Sequence, residues 1–259
     1  MARRVPALFT ATLVALLAMP TAGLAARSVP LALVIPQPGL RPVAYRQFVM
    51  ELESRGVETI LIELPFGPDD LVERVLPAAR TRHAGRPVVL VGHGYGGRAV
   101  LDGADLSATC GVVLLGTPLV VRPSPWHQTL PDPAAHPDGL DLNEARTAQH
   151  GPGLWPLTRL RSPYPASWLG RLTSDWLSYL VDSLDTPVLL PPEADVWIGV
   201  APLDELAPPE SLGPALPTNT VVHRWGMLHG WKADATAPDL LTNPRVTANL
   251  ARWIHKTCS

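Results

Sequence analysis

Residues 92–96 have the spacing of a nucleophile elbow, the Gly-x-nucleophile-x-Gly turn that presents an attacking side chain to a carbonyl carbon. The turn reads Gly92-His93-Gly94-Tyr95-Gly96 and stands between an apolar run at 88–91, which predicts a strand, and a possible helix at 98–104. The residue at its apex, where a serine would be expected, is Gly94. Glycine has no side chain to acylate, and the two side chains beside it leave the turn in other directions. The sequence therefore predicts an acyl-transfer site with a vacant nucleophile position.

An acidic residue and a histidine follow at places that would complete a catalytic triad. Asp204 comes after a predicted strand at 194–200, and His229 comes after the last predicted strand, at 220–225. One class of catalytic triad has this chain order, with the elbow first, the acid second and the histidine last. Without a serine, the Asp–His pair could instead activate a water molecule. A purely structural interpretation stays open, in which Asp204 precedes a helix and His229 is a loop histidine whose hydrogen bonds are made within the protein. Two weaker candidates for the acid are Asp195 and Glu205.

Short apolar strands alternate with amphipathic helices along most of the chain, which predicts a parallel sheet covered by helices on both faces. The predicted strands lie at 31–35, 57–64, 88–91, 111–115, 194–200 and 220–225, and the predicted helices at 42–55, 69–83, 98–104, 165–184 and from 243 onward. The alternation breaks at 119–186, which we interpret as a lid-like insertion over the strand ends, where such sheets bind ligands. Trp126, Trp155, Trp168 and Trp176 favour an apolar pocket there, although a loop excursion without function is the alternative.

The sequence resembles an α/β-hydrolase of the lipase/esterase kind over nearly all of residues 30–257. The resemblance is carried by Val91-Gly92-His93-x-x-Gly96-Gly97 at the elbow and by Val113-Leu-Leu-Gly-Thr-Pro118 in the strand that follows it. It implies the α/β-hydrolase fold, a mostly parallel sheet flanked by helices with a lid-like insertion. It also places the acid and the base of the family at Asp204 and His229.

The chain departs from this family a second time, in the loop after the first strand. The family usually carries a His-Gly turn there, and the loop donates a backbone N–H to the oxyanion. This chain has Pro36-Gln37-Pro38-Gly39, in which both prolines lack an N–H. The candidate oxyanion donors are therefore the N–H groups of Tyr95 and Gln37. One such donor is worth about 3 kcal/mol in kcat, so departures at two separate places indicate a relaxed demand for acyl chemistry.

Two functions are compatible with these residues. The first is a non-catalytic hydrolase-fold protein that binds an apolar small molecule, an ester-like ligand or a protein partner. The second is an active hydrolase or lyase that uses an Asp204–His229 dyad without a covalent acyl-enzyme. The fold does not separate them, because function resides in the site.

The first 26 residues have the pattern of a secretory signal peptide. Arg3 and Arg4 precede an apolar run at 5–19, and small residues follow up to Ala25 and Ala26. We expect cleavage after about Ala25 or Ala26, a mature hydrolase domain at 27–259, and a secreted or periplasmic location. A membrane anchor is the alternative, but the run is short for a span, so we expect no stable span after cleavage.

Net charge and residue spacing limit the classes of partner and cofactor that we expect. The formal net charge of −2 gives no electrostatic case for nucleic acid, and the histidines show no metal-ligand spacing. Residues 92–97 also match Gly-x-Gly-x-x-Gly, but the next strand runs into Gly116-Thr117-Pro118 without the acid that a dinucleotide site needs. We therefore expect neither a metal nor another cofactor. The two cysteines, Cys110 and Cys258, predict a disulfide in an oxidising compartment, with two unpaired thiols as the alternative.

Overall fold

The computed structural model describes residues 29–64, 67–120, 130–148, 165–183, 186–201, 212, 216–224 and 237–259. Its strands, in chain order, are β1 (Leu31–Ile35), β2 (Glu58–Leu61), β3 (Val88–His93), β4 (Gly111–Leu115), β5 (Leu140–Asp141), β6 (Arg171–Leu172), β7 (Val196–Val200) and β8 (Thr220–Arg224). Six of them form one parallel sheet in the order β2-β1-β3-β4-β7-β8, and β5 pairs with β6 in a separate antiparallel ribbon. Every residue of β1, β3, β4 and β7 is buried, as expected for apolar strands that are covered on both faces.

The helices, in chain order, are α1 (Arg46–Glu53), α2 (Pro68–Asp70), α3 (Leu76–Arg82), α4 (Tyr95–Gly103), α5 (Leu142–Ala148), α6 (Ser174–Asp182), α7 (Ala237–Thr242) and α8 (Pro244–Thr257). Short 3-10 turns cover Pro42–Tyr45, Pro133–Ala135 and Ala166–Trp168. Helices α1, α7 and α8 contact one another, and α2 contacts both α4 and α6. The predicted parallel α/β sheet flanked by helices is confirmed.

A π-helical stretch, Leu71–Val75, joins α2 to α3 within the helix that the sequence predicts at 69–83. Pro77 is the second residue after this stretch. Because proline has no N–H, it cannot make the ordinary bond to the carbonyl four residues earlier. The wider turn before it therefore has a local cause.

The predicted helix at 165–184 is wrong in its first half, which contains the 3-10 turn Ala166–Trp168 and the strand β6. Helix α6 begins only after Thr173, whose side chain accepts the Trp176 N–H at 3.4 Å and caps the helix. Trp176 is buried on α6 within the hydrophobic core. The pattern missed the break because β6 depends on pairing with a distant segment, β5.

The closing helix begins where the sequence predicts, since the Asn243 side chain accepts the Arg245 N–H at 2.9 Å and Pro244 occupies the first turn. Its far end reaches the residue before β4, where Cys258 forms a disulfide with Cys110 and the two Cα atoms are 5.2 Å apart.

In the part of the chain that the structure describes, no helix is both long and apolar enough to cross a membrane. The segment at 1–26 lies outside the described residues, so the signal peptide stays a prediction.

Candidate functional site

A single residue turns the chain from β3 into α4. β3 ends at His93 and α4 begins at Tyr95, so Gly94 alone makes the turn, with φ +54° and ψ −129°. Its N–H donates to the Leu115 carbonyl at 2.9 Å, and its carbonyl accepts the Arg98 N–H at 3.3 Å. A positive φ favours glycine over residues that carry a side chain. The strand, turn and helix expected for the elbow are present, with the apex at the carboxyl edge of the sheet.

The outer glycines of the elbow let α4 lie close to β3 and to the loop after β1. A Cβ on Gly92 would overlap the Cα of Gly97, and a Cβ on Gly96 would overlap the carbonyl oxygen of Pro36. Side chains at these positions would push the helix away from the sheet. Close packing therefore explains the outer glycines, whereas Gly94 faces a different neighbour.

The side chain of Gln37 fills the space in front of Gly94. Its Oε1 accepts the Tyr95 N–H at 2.7 Å. A Cβ added to Gly94 would overlap this oxygen and lie 2.8 Å from the Gln37 Cδ. Gln37 is fully buried. One carboxamide of the chain thus occupies both a candidate oxyanion donor and the volume of a nucleophile side chain.

The backbone N–H of Gln37 is also paired inside the protein. It donates to the Tyr45 hydroxyl at 2.6 Å, and that hydroxyl lies 2.7 Å from the His93 Nδ1. Burial lowers the pKa of His93 to about 3 and raises the pKa of Tyr45, so the imidazole is neutral and the phenol keeps its proton. The hydroxyl therefore accepts the Gln37 N–H and donates to Nδ1, which leaves the imidazole proton on Nε2.

The loop that carries Gln37 is tied on its other side to residues 168–170. The Gly170 N–H donates to the Gly39 carbonyl at 2.8 Å, and the Arg41 N–H donates to the Trp168 carbonyl at 2.7 Å. Leu40 and Leu169 form an antiparallel bridge between these two contacts. The segment at 119–186 thus contacts the elbow region through backbone hydrogen bonds.

A buried cation on α4 holds both ends of that segment. The Arg98 guanidinium donates to the Pro118 carbonyl at 3.3 Å and to the Thr186 carbonyl. Its Nε lies 3.7 Å from an Asp102 oxygen, and the same oxygen accepts the Tyr179 hydroxyl of α6. A guanidinium has several donors and can bond two carbonyls at once. Arg98 therefore links the two ends of the segment at 119–186 to α4.

An open cavity of about 310 Å³ lies on the outer side of α1, and we refer to it as the α1 groove. Val43, Ala44, Met50 and Trp168 line it with apolar surface, and its polar lining residues are Arg46, Gln47, Glu51 and Thr242. Half of Val43 and 58% of Met50 are exposed. Ala44 adjoins Tyr45 in sequence, so the groove begins one residue from the hydrogen bonds that close the elbow.

Asp204 and His229 lie outside the described residues, as do Glu205, Trp126 and Trp155. The two strands that precede them, β7 and β8, run parallel to β3. Their carboxyl ends therefore lie at the same edge of the sheet as Gly94. The roles of Asp204 and His229 stay predictions.

Asp195 lies at the opposite edge of the sheet from Gly94. It precedes β7, its side chain is exposed, and its carbonyl accepts the Val112 N–H at 2.9 Å. This position excludes Asp195 as the acid of the site. In the described ranges, no group of three or more His, Cys, Asp and Glu side chains could hold a metal ion.

Sequence reasoning identified the backbone of Gln37 but missed its side chain, together with Tyr45 and Arg98. Tyr45 only fell within the predicted helix at 42–55. The one available signal was a glutamine between two prolines, in a chain whose elbow lacks a serine. Its contact with Tyr95 joins residues 58 positions apart, which no local pattern records.

A family model described as "Alpha/beta hydrolase family" matches residues 12–257. An esterase from Thermogutta terrifontis has a similar structure, with a TM-score of 0.58 at 16% identity over 89% of this chain and 91% of that chain. A monoacylglycerol lipase from Paleococcus ferrophilus gives 0.56 at 14% identity over 88% and 94%, and the pyrethroid hydrolase PytH gives 0.57 at 16% over 89% and 99%. At such identities the likeness shows the fold alone. No curated protein matches the sequence.

Proposed function

Because the chain belongs to the α/β-hydrolase family, we propose that it is an exported, non-catalytic member of the lipase/esterase kind that binds an apolar, ester-like small molecule. The observation that carries this proposal is the elbow apex. Gly94 offers no nucleophile, and the Gln37 carboxamide fills the space in front of it. A covalent acyl-enzyme needs an attacking atom at this point.

The state of the oxyanion donors supports the same conclusion. The Tyr95 N–H bonds the Gln37 side chain, and the Gln37 N–H bonds Tyr45. A developing oxyanion would meet neither donor unless these contacts broke first. Since each donor is worth about 3 kcal/mol in kcat, the elbow as it stands supplies little stabilisation to a tetrahedral intermediate.

The α1 groove is the binding site that we assign to the ligand. Its volume of about 310 Å³ lies at the lower end of the range for small-molecule sites, which are mostly apolar with a few polar groups. Trp168 supplies a partly buried aromatic surface, and Arg46 supplies a cation at the rim. The similar structures named above act on esters and monoacylglycerols according to their names, which favours an acyl chain with a polar head as the ligand class.

A binding experiment with 1-O-dodecylglycerol, an ether that cannot be hydrolysed, tests this assignment. We expect saturable binding to the purified protein by calorimetry, and at least tenfold weaker binding to Trp168→Ala. Leu189→Ala is the matched control, because Leu189 is 85% exposed and does not line the groove. Binding that never saturates, or equal losses in the two variants, would contradict the proposal.

Export is the second part of the proposal and rests on the pattern of residues 1–26 and on the disulfide between Cys110 and Cys258. N-terminal sequencing of the mature protein should begin near Ala26 or Arg27. Recovery of an intact chain from the cytoplasm, beginning at Met1, would contradict it.

The other candidate function is a hydrolase or lyase with an Asp204–His229 dyad that activates water. The observation in its favour is the sheet topology, since β7 and β8 end at the edge that carries Gly94. This alternative predicts ester turnover that His229→Ala abolishes, whereas the non-catalytic proposal predicts none.

A further inference from the structure

We infer that the α1 groove binds a single-chain amphiphile with a carboxylate head, a long-chain fatty acid, and that the Arg46 guanidinium binds this head. The inference rests on the proposed function, because it names the head group of the ligand that we assign to the groove. The apolar lining by itself does not separate this class from neutral glycerol ethers and esters. The charges of the groove separate the two classes.

The two charged side chains that line the groove, Arg46 and Glu51, differ in their partners. Glu51 pairs with Arg55 at 3.2 Å, one helical turn later on α1. Among the acidic side chains that the structure describes, none forms an ion pair with Arg46. The groove therefore presents one unmatched positive charge, on a chain whose formal net charge is −2. An anion is thus attracted by a local charge and not by the charge of the whole protein.

Apolar surface lies beside this cation. Met50 follows Arg46 by four positions on α1, a spacing that places two side chains on the same face of a helix. Val43 and Trp168 line the same groove, and Val43 and Met50 are both at least half exposed. An alkyl chain on these residues would remove apolar surface from water. A cation next to exposed apolar side chains suits a ligand with an anionic head and an apolar tail.

The walls of the groove are held without the Arg46 guanidinium. The Gln47 amide nitrogen donates to the Thr242 carbonyl at 2.9 Å and joins α1 to α7. The Trp168 carbonyl accepts the Arg41 N–H at 2.7 Å. In the described ranges, no hydrogen bond occupies the Arg46 side chain, which is exposed. A ligand can therefore reach this cation without first breaking a contact of the chain, unlike a ligand at the elbow.

The chemistry of the groove also indicates which anion it binds. A guanidinium matches a carboxylate through two parallel N–H···O bonds. A phosphate monoester has the same fork of acceptors but carries close to two negative charges at neutral pH. The Glu51 carboxylate lines the same groove and would repel the second charge. One cation beside one carboxylate therefore favours a head with a single negative charge.

Calorimetric titration with dodecanoate and 1-O-dodecylglycerol, which have tails of similar length, tests the inference. At about pH 8 the dodecanoate head is ionised. We expect Arg46→Gln to bind dodecanoate about three- to fivefold more weakly than the parent does, the loss expected for an exposed ion pair. The same variant should bind 1-O-dodecylglycerol as tightly as the parent, because the neutral head has no charge for Arg46 to pair with. Dodecyl phosphate should bind the parent no more tightly than dodecanoate.

Lys256→Gln is the matched control. It removes the same charge from an exposed position on α8 that does not line the groove, and it should leave both affinities unchanged. A measurement on the parent covers the case in which Arg46→Gln fails to fold. Raising the NaCl concentration from about 20 mM to about 500 mM should weaken the binding of dodecanoate but not that of 1-O-dodecylglycerol, because salt screens only the charged head.

Four results would overturn the inference. They are unchanged dodecanoate binding by Arg46→Gln, equal losses for the two ligands in that variant, equal dodecanoate losses in Arg46→Gln and Lys256→Gln, and tighter binding of dodecyl phosphate than of dodecanoate. Each of them leaves the proposed function in place as long as the parent binds 1-O-dodecylglycerol saturably. A parent that binds none of the three ligands would contradict the proposed function itself.

Discussion

Replacing Gly94 with serine should destabilise the protein in two separable ways. A residue with a side chain at φ +54° carries about 1–3 kcal/mol of backbone strain. The new Cβ would also overlap the Gln37 Oε1, so the carboxamide must move and the Tyr95 N–H loses its acceptor. An unpaired buried donor costs about 1–3 kcal/mol, which brings the expected loss in the free energy of unfolding to about 2–6 kcal/mol.

The Gln37→Ala background separates the two contributions. Without the carboxamide there is nothing for the serine Cβ to displace, so Gly94→Ser should cost only the backbone strain there. Urea unfolding of the parent, both single variants and the double variant should therefore give a coupling energy of about 1–3 kcal/mol. In a second assay, a fluorophosphonate probe should label the double variant faster than Gly94→Ser alone, because the displaced Gln37 side chain of the single variant still crowds the space in front of the serine. The parent should not be labelled.

Additivity would refute this reasoning. If the two costs add within about 0.5 kcal/mol, the Gln37 side chain does not occupy the space in front of Gly94. Equal labelling of the serine variant and the double variant would lead to the same conclusion.

Three further predictions concern the parts of the fold that support the elbow. Opening the Cys110–Cys258 disulfide, which joins residues 148 positions apart, should cost about 4 kcal/mol in urea unfolding, and thiol labelling of the unreduced protein should find no free cysteine; two labelled thiols would contradict this. Because the pKa of His93 is lowered to about 3, the unfolded chain binds a proton between pH 6.5 and 3 that the folded protein does not, and the free energy of unfolding should fall by about 2–3 kcal/mol from pH 6.5 to pH 4.5. A His93→Gln variant with the same pH dependence would contradict a buried, neutral His93. Arg98→Met should accelerate limited proteolysis within 119–186 several-fold, because the Pro118 and Thr186 carbonyls lose their donor. The control Arg55→Met removes an exposed ion pair and should not accelerate it, and equal rates in the two variants would show that Arg98 does not hold this segment.

The sequence predicted the sheet well because its central strands are continuous apolar runs. The bounds of β1 and β4 agree with the predicted 31–35 and 111–115, and the glycines at 92–97 identified the elbow between β3 and α4. Burial on both faces requires apolar residues throughout a strand, and this pattern is local. The first half of the predicted helix at 165–184 was wrong because β6 forms by pairing with β5, which lies 30 or more positions away.

The occupant of the elbow could not be predicted from local patterns. Gly94 stands out in the motif, but the Gln37 side chain reaches it only after β1 and β3 become neighbours in the sheet. Arg98 contacts Thr186, which lies 88 positions later in the chain, and no local sequence pattern around Arg98 predicts that contact. Long-range packing therefore decided the state of the site, whereas local patterns predicted the elements that build it.

Hydrolysis of p-nitrophenyl esters of increasing chain length by the parent protein tests the central claim most directly. An elbow without a nucleophile, whose oxyanion donors are both paired, predicts that the parent and His229→Ala give the same rate as buffer at every chain length. Turnover by the parent well above buffer that disappears in His229→Ala would contradict the claim and establish the water-activating dyad instead.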